Sequence, residues 1–556
     1  MRRQWWHGLT AYQIYPRSFR DSNGDGYGDL QGITEKLPYL KELGIDLVWL
    51  SPIYKSPGID NGYDIADYQA IDPLFGTMED FDALMEKARE LNLKIIMDLV
   101  VNHCSSEHEW FKKACADPGC EEASYFYFRE GRNGHEPNNL RANFGGSIWD
   151  KVPGQDNLYY CHFFAKEQPD LNWFNPKLRE KIYAMMNWWL DKGIAGFRVD
   201  AIMCIGKDPT FPDFEPDPLG DGRCGCGAMN ERCNDVADRF LREMHERVLK
   251  PRNAFTVGEV FCLNKNNIER FIGEDGNFSA IFDFAARETL TAHCAYFAYE
   301  KLPVSKYREV TFRSQELTND VGFLCPVIEN HDEPRGVSTY LPPLWHNARG
   351  AKALGTVNLL LRGVPFIYEG QEIGMTNSRF DTIYEFKDLQ SHDEYQKCLA
   401  HGLSEYEALR ILNDEARDQC RTPMLWDDTL NAGFSTGIPW MRVHQDYPHL
   451  NVKAQMADPD SVWHHYKALI ALRKNPEFKD TITYGRFKAL PDPNGHTLAF
   501  LREGERNTLM VIANFGEGSV TFDTYDTARP LLTSGEVHLN AHSVTVAGGS
   551  SAVLLL

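Results

Sequence analysis

Eight short apolar runs punctuate the first 480 residues, and their recurrence restricts the fold more than any other feature. They occupy residues 11–15, 47–50, 94–101, 196–200, 255–259, 280–284, 322–329 and 365–368. Most are too short for a helix, and most are followed by a polar loop. That pattern reads as strands buried on both faces. Helical periodicity fills the intervals, as in residues 78–91, 176–192 and 234–249. Strand–helix alternation produces a parallel sheet, and eight such units close into an α/β architecture, the (β/α)8 TIM barrel. In that architecture chemistry sits in the loops after the C-terminal ends of the strands.

Two connections are too long to be plain loops. Residues 104–172, after the third strand, are rich in aromatics, Asn and Gly and predict an inserted subdomain. Residues 369–439, after the eighth, contain a helical excursion over 391–412. Both are placed to roof the barrel mouth. Beyond about residue 480 the chain alternates in short strands, at 497–501, 508–514 and 543–556, which predicts an antiparallel β domain. The expected division is a catalytic barrel over 1–103 and 173–480, an inserted subdomain over 104–172 and a C-terminal β-sandwich over 481–556.

The net charge of −21 argues against nucleic acid, anionic membrane surfaces and phosphorylated substrates as partners. No run approaches the roughly 20 apolar residues of a membrane span, and the first residues lack the apolar core of a signal peptide. Thirteen cysteines, an odd and scattered set, do not suggest a disulfide framework. A reducing cytoplasm is the simplest location. Cys224, Cys226 and Cys233 cluster in a Gly-rich stretch without a fourth metal ligand at sensible spacing, and read as free thiols on a loop.

Polar residues gather at the predicted strand ends. The third strand runs Asp98-Leu99-Val100-Val101-Asn102-His103, the fourth Gly196-Phe197-Arg198-Val199-Asp200, the fifth Val257-Gly258-Glu259, and the seventh leads into Glu329-Asn330-His331-Asp332. Side chains alternate along a strand, so Arg198 and Asp200 share a face. Arg198 is expected to hold Asp200 ionised, lowering its pKa by roughly 1–3 units. An ionised carboxylate in a pocket suits a nucleophile; an ion pair that only staples the strand is the other reading. Asp98, Asp200, Glu259 and Asp332, with His103 and His331 among them, cannot all share one pKa. An ionised carboxylate facing a protonated one is the machinery of glycoside cleavage.

These motifs, in this order and together with Gln168-Pro169-Asp170-Leu171-Asn172, resemble glycoside hydrolase family 13, the α-amylase superfamily. The resemblance spans essentially the whole chain and is strongest toward the oligo-1,6-glucosidase and α-glucosidase branch. It implies Asp200 as nucleophile, Glu259 as general acid/base and Asp332 as the third carboxylate, which grips sugar hydroxyls. It also implies His103, Gln168, Arg198 and His331 as hydroxyl-binding or charge-setting residues, Asp98 as their support, and Tyr63 as an aromatic platform under the innermost glucose. Phe144 and Phe164 would wall the pocket. For Tyr63 and both phenylalanines, core packing is the competing reading. Asp60 and Arg417 match a pair that closes the pocket's far end and makes cleavage exo-acting; a surface ion pair is the alternative.

The loop Asp21-Ser22-Asn23-Gly24-Asp25-Gly26-Tyr27-Gly28-Asp29 places oxygen ligands at alternate positions, as a calcium loop begins. Gly32 stands where an EF-hand needs its bidentate Glu, so this is not an EF-hand. The resemblance implies one structural calcium, or magnesium, on Asp21, Asn23, Asp25, Asp29 and the Tyr27 carbonyl; an Asx-rich turn without metal is the other reading. No organic cofactor is implied. Linkage signals conflict. Ala201 after the nucleophile resembles α-1,4-active members, whereas Gln168-Pro169-Asp170-Leu171-Asn172 resembles the α-1,6 group. Breadth over maltose-type and isomaltose-type short oligosaccharides is expected. A transglucosylase and a sucrose- or trehalose-cleaving enzyme are the close rivals, although the Arg-Leu-Asp-Arg-Asp loop of sucrose isomerases is absent. A non-catalytic transporter-accessory relative is the distant one. Glu329 departs from the branch and is expected to alter the second sugar's site. A monomer or homodimer acting on small oligosaccharides completes the expectation.

Overall fold

A computed structural model describes residues 2–291 and 295–556. Eight parallel strands form one sheet: β1 (Ala11–Ile14), β2 (Leu47–Leu50), β3 (Lys94–Leu99), β4 (Gly196–Val199), β5 (Phe255–Gly258), β6 (Ala280–Phe282), β7 (Leu324–Cys325) and β8 (Phe366–Tyr368). Neighbours in sequence are neighbours in space, and β8 returns to pair with β1. The β7–β8 seam is closed by the backbone of residues 363–366. Val364 N–H donates to Leu324 O at 3.1 Å and Phe366 N–H to Pro326 O at 3.0 Å. The sheet is therefore the expected barrel. β7 is shorter than its apolar run because Pro326 has no N–H to give to a ladder.

The barrel interior is filled by Trp49, Ile96, Phe255, Val257, Phe282 and Phe366, with Trp6 plugging its N-terminal end. The helices pack outside. Thr77 and Asp80 form a capping box on the helix Met78–Glu90, and Asn175 caps Pro176–Asp191, whose Pro begins the first turn. Gly196 is required where it stands: a Cβ there would lie 1.7 Å from Phe255 O. The helix from Asn234 ends at Met244 and continues as a wider turn over His245–Leu249.

Residues 104–172 fold into the helix Glu109–Ala116 and a three-stranded antiparallel sheet of Phe128–Glu130, Leu158–Cys161 and Trp149–Lys151. The chain after β4 completes its core. Cys226, Met229, Cys233 and Phe211 pack with Tyr127, Trp149 and Phe163, and Cys224–Gly225 pairs in parallel with Leu140–Arg141. The three cysteines are free thiols, as expected, but they do not lie on an open loop: they stand on a short strand and at helix ends. Cys226 and Cys233 are buried and act as small apolar residues, because this segment is a wall of the subdomain. After β8, the predicted single helical excursion is two helices, Leu389–Ala400 and Glu405–Glu415. Gly402 at φ +87° breaks them, and a Ser404–Glu407 capping box restarts the second.

The C-terminal region holds a five-stranded antiparallel sheet (Arg486–Ala489, Thr497–Glu503, Thr508–Asn514, Ser550–Leu555 and Arg529–Ser534) facing a three-stranded one (Val520–Asp523, Ser543–Val546 and Val537–Leu539). Met510, Ile512, Val544, Val546 and Leu554 pack between them. Arg502 ties this unit to the barrel, donating to Leu360 O at 2.8 Å. Among the described residues no helix is long and apolar enough to cross a membrane.

Candidate active site

Strand register assembles the first half of the site. Arg198 lies opposite Asp98 on β3 and Val257 on β5, so the ends of three strands meet at one guanidinium. Arg198 Nη1 donates to Asp98 Oδ1 at 2.7 Å and to Asp200 Oδ1 at 2.6 Å, and its Nη2 lies 3.0 Å from Glu259 Oε2. The guanidinium is 2% exposed and sits between the rings of Trp49 and Tyr63. Burial pushes Asp200 up to about 7, against the pull of Arg198. It likewise pushes Asp98 up to about 6 and raises Glu259. The expectation that Arg198 would lower Asp200 is therefore corrected. One cation is divided among three buried carboxylates, and its share at each does not offset the desolvation.

The residue after Asp200 adds a backbone contact. Ala201 sits at φ +45°, in the left-handed region, and its N–H donates to Glu259 Oε2 at 2.8 Å. Both donors on Glu259 thus reach the same oxygen. The other, Oε1, is left to carry a proton.

The second half of the site gathers on Asp332. Its Oδ1 accepts from Arg417 Nη1 at 3.0 Å and Arg421 Nη2 at 2.9 Å, and its Oδ2 lies 3.0 Å from His331 Nε2. Burial opposes its charge, but His331 and the two arginines outweigh it and hold the carboxyl well below its usual value. Asp388, which also caps the helix Leu389–Ala400, binds both arginines. Arg421 and Asp388 were not foreseen. The signal for the first was a second arginine four residues after Arg417; Asp388 reads in sequence only as a helix cap.

Tyr63 stacks on His331 with rings 5.3 Å apart and 9° from parallel, and its hydroxyl lies 2.5 Å from His331 Nε2 and 3.1 Å from Asp98 Oδ2. Gln13, also unforeseen, approaches His331 Nδ1 at 2.8 Å. His103 lies with Nδ1 near the Asn102 amide at 3.1 Å and Nε2 near Tyr63 O at 3.1 Å, and burial drives its pKa down to about 3. Phe164 packs on His103, Phe144 on Phe164, and Arg417 over the Phe144 ring at 5.4 Å. Both phenylalanines are half-buried, and Phe164 also packs against the apolar core of the inserted subdomain.

Asp60 lies 3.6 Å from Arg417 Nη2 and accepts from Gln168 Nε2 at 3.0 Å. Asp60 is buried and the Arg417 side chain is 13% exposed, so this is not a surface contact, and burial raises Asp60 to about 7. Arg417 is nonetheless closer to Asp388, at 2.8 Å. Glu329 does not reach a sugar site: it is 1% exposed and bound to Arg335 at 3.1 Å and Gly336 N–H at 2.6 Å, where it braces the loop carrying Asp332. Asp170 forms a fully buried pair with Lys207 at 3.1 Å, and Lys207 also donates to Asn102 at 2.9 Å, fastening the subdomain to the end of β3.

The loop at residues 21–29 is closed by its own donors. Asp21 accepts from the N–H groups of Asn23, Gly24 and Gly26 and from Ser435 Oγ; Asp29 accepts from Ser22 N–H, Ser22 Oγ and Gly32 N–H. Asp21 has four donors for its four lone pairs, and Asp29 has three. Among the described residues no three His, Cys, Asp or Glu side chains converge on a metal position. The oxygen donors suit a hard cation by type, but their present arrangement does not fit one.

The model of the α-amylase catalytic domain matches residues 13–485. An oligo-1,6-glucosidase of Halalkalibacterium halodurans is 41% identical over 93% of this chain and 91% of its own. That of Bacillus cereus is 40% identical over 99% and 97%. The crystal structure of the trehalulose synthase of Pseudomonas mesoacidophila superposes with a TM-score of 0.92 at 36% identity, covering 100% of both chains.

Proposed function

This chain belongs to the α-amylase family and is a glycoside hydrolase of the α-glucosidase type, and from that premise we propose that it removes α-glucose from the non-reducing ends of short α-1,4- and α-1,6-linked oligosaccharides with retention. The observation that carries the proposal is the Arg198 fork. One guanidinium holds Asp200 and Glu259 together, which favours the roughly 5–5.5 Å carboxyl spacing of a retaining enzyme over the wider gap that admits a water.

In the proposed reaction Asp200 attacks the anomeric carbon as the glycosidic bond breaks, and Glu259 gives its proton to the leaving oxygen. Glu259 then takes a proton from water, whose oxygen attacks the same carbon and releases Asp200. Asp332, ionised under two arginines, accepts hydroxyl hydrogen bonds from the glucosyl ring. Tyr63 and His331 form the floor. Asp60, Gln168 and Arg417 close the far end, so that only a chain terminus enters.

The test follows hydrolysis of p-nitrophenyl α-glucoside by proton NMR. α-Glucose appearing first, and lost in Asp200→Ala, supports the reading; β-glucose first, or full activity in Asp200→Ala, overturns it. Relative kcat/KM on maltose, isomaltose, sucrose and trehalose then fixes the linkage. The likeness to trehalulose synthase favours a second reading, glucosyl transfer. A sucrose isomer formed from sucrose, instead of free glucose and fructose, would select it. One structural calcium in the 21–29 loop is also proposed, supported by the oxygen-only donor set. The ion would have to displace the hydrogen bonds that now close the loop.

A further inference from the structure

A cleft of about 970 Å³ opens on the outer flank of the barrel, away from the catalytic carboxylates. The strand Asp67–Ile71, the start of the helix Glu109–Ala116 and the outer face of the helix Pro176–Asp191 form its walls. Two half-buried indoles, Trp110 and Trp188, line it. A surface that leaves two large rings partly uncovered in one concavity has the form of a stacking site.

The cleft also has a built polar group. His108 is 5% exposed and lines it. Its Nδ1 accepts the backbone N–H of Trp110 at 3.1 Å, so the ring proton of the neutral imidazole lies on Nε2. No described side chain or carbonyl receives that N–H. His108 lines the cleft, so this N–H is available there to a hydroxyl oxygen. The charges around the cleft balance, three lysines against three carboxylates, which gives no preference for an ion of either sign. Aromatic faces, a neutral donor and no net charge together select a neutral molecule with one apolar face and many hydroxyls.

We propose that this cleft is a second carbohydrate site, which holds a glucosyl unit of an oligosaccharide against Trp110 and Trp188 with the His108 Nε2–H on a hydroxyl. The choice of an α-glucan as ligand rests on the function proposed above; the site's geometry does not. Tyr68, which also lines the cleft, donates its hydroxyl to His103 O at 2.9 Å, so the cleft and the catalytic pocket share a wall.

The experiment titrates isomaltotriose into the wild-type protein while a saturating iminosugar, 1-deoxynojirimycin, fills the catalytic pocket, with calorimetry and saturation-transfer NMR as readouts. One residual site is expected. Trp188→Ala should weaken it at least about tenfold. Ala184→Arg, at an exposed helical position that lines the cleft, should block it without removing any packing. Both variants should keep kcat on p-nitrophenyl α-glucoside within about twofold of wild type. No residual binding, or residual binding that survives both substitutions, overturns the proposal. Failure of the iminosugar to inhibit hydrolysis would instead count against the function assigned to the catalytic pocket.

Discussion

Asp200 and Asp332 stand on the same rim under opposite electrostatics. Around Arg198 three carboxylates share one cation; around Asp332 two arginines and a histidine converge on one carboxylate, with Asp388 and, at 3.6 Å from Arg417, Asp60 as competitors. Both groups are desolvated, yet the first is pushed up to about 7 and the second is held well below its usual value. The number of cations per carboxylate, rather than burial, separates them. The first cluster keeps at least one proton near neutrality, which acid catalysis needs. The second stays ionised, which suits binding hydroxyls.

The largest expected effects break the first cluster. Asp200→Ala should lower kcat by on the order of 10⁴–10⁶-fold, as when a nucleophile that acts as part of a unit is removed. Glu259→Gln should lose about 10²–10⁴-fold on substrates with a poor leaving group, and less on p-nitrophenyl glucoside, which leaves without a proton. Steady-state kinetics on both substrates checks the difference.

Breaking the second cluster should show in stability. Arg421→Leu strips one of two guanidinium partners from each of Asp332 and Asp388, and removal of a buried partner costs about 3–5 kcal/mol. Denaturant melts read this, and KM should rise as Asp332 loses its orientation.

Acidity sharpens the comparison because the two signs differ. Asp200 titrates higher folded than unfolded, so the unfolded chain binds fewer protons and stability falls as pH rises from about 4 to about 7. Asp332 titrates lower folded, so its contribution is present above the unfolded value near 4 and lost as pH falls through the folded one. Asp200→Asn should flatten the fall of Tm between those values, whereas Asp332→Asn should change only the acid side. The acid limb of kcat/KM should lie near 7 and belong to Asp200 titrating together with Asp98, which shares Arg198.

Smaller still is the effect of Ala201→Val. Ala201 already bears the left-handed penalty of about 1–2 kcal/mol, and a β-branched side chain at φ +45° adds to it. Moving its N–H away from Glu259 should also shift the basic limb of the pH profile. Ala201→Gly, which adopts the same backbone freely, should leave that limb in place. Last, calcium in place of EDTA should raise Tm; an unchanged Tm removes the proposed ion.

Much of this was legible from the chain. The eight runs locate all eight barrel strands, because strands buried on both faces must be apolar throughout. Asp98, Arg198, Asp200 and Glu259 lie at the ends of those strands, so strand order alone brings them to one rim. Arg421, Asp388 and Gln13 were not legible, because each reaches the site from a segment whose direction only packing sets. The burial of Cys226 and Cys233 and the place of Glu329 were misread for the same reason: their surroundings come from segments distant in sequence.

Local pattern thus determined which residues face the barrel mouth, since strand periodicity and hydrophobicity act over a few residues. The charge each one carries was decided only by the tertiary structure. A carboxylate's proton depends on how many donors and cations reach it and how much water is excluded, and both are set by elements that meet from across the whole chain.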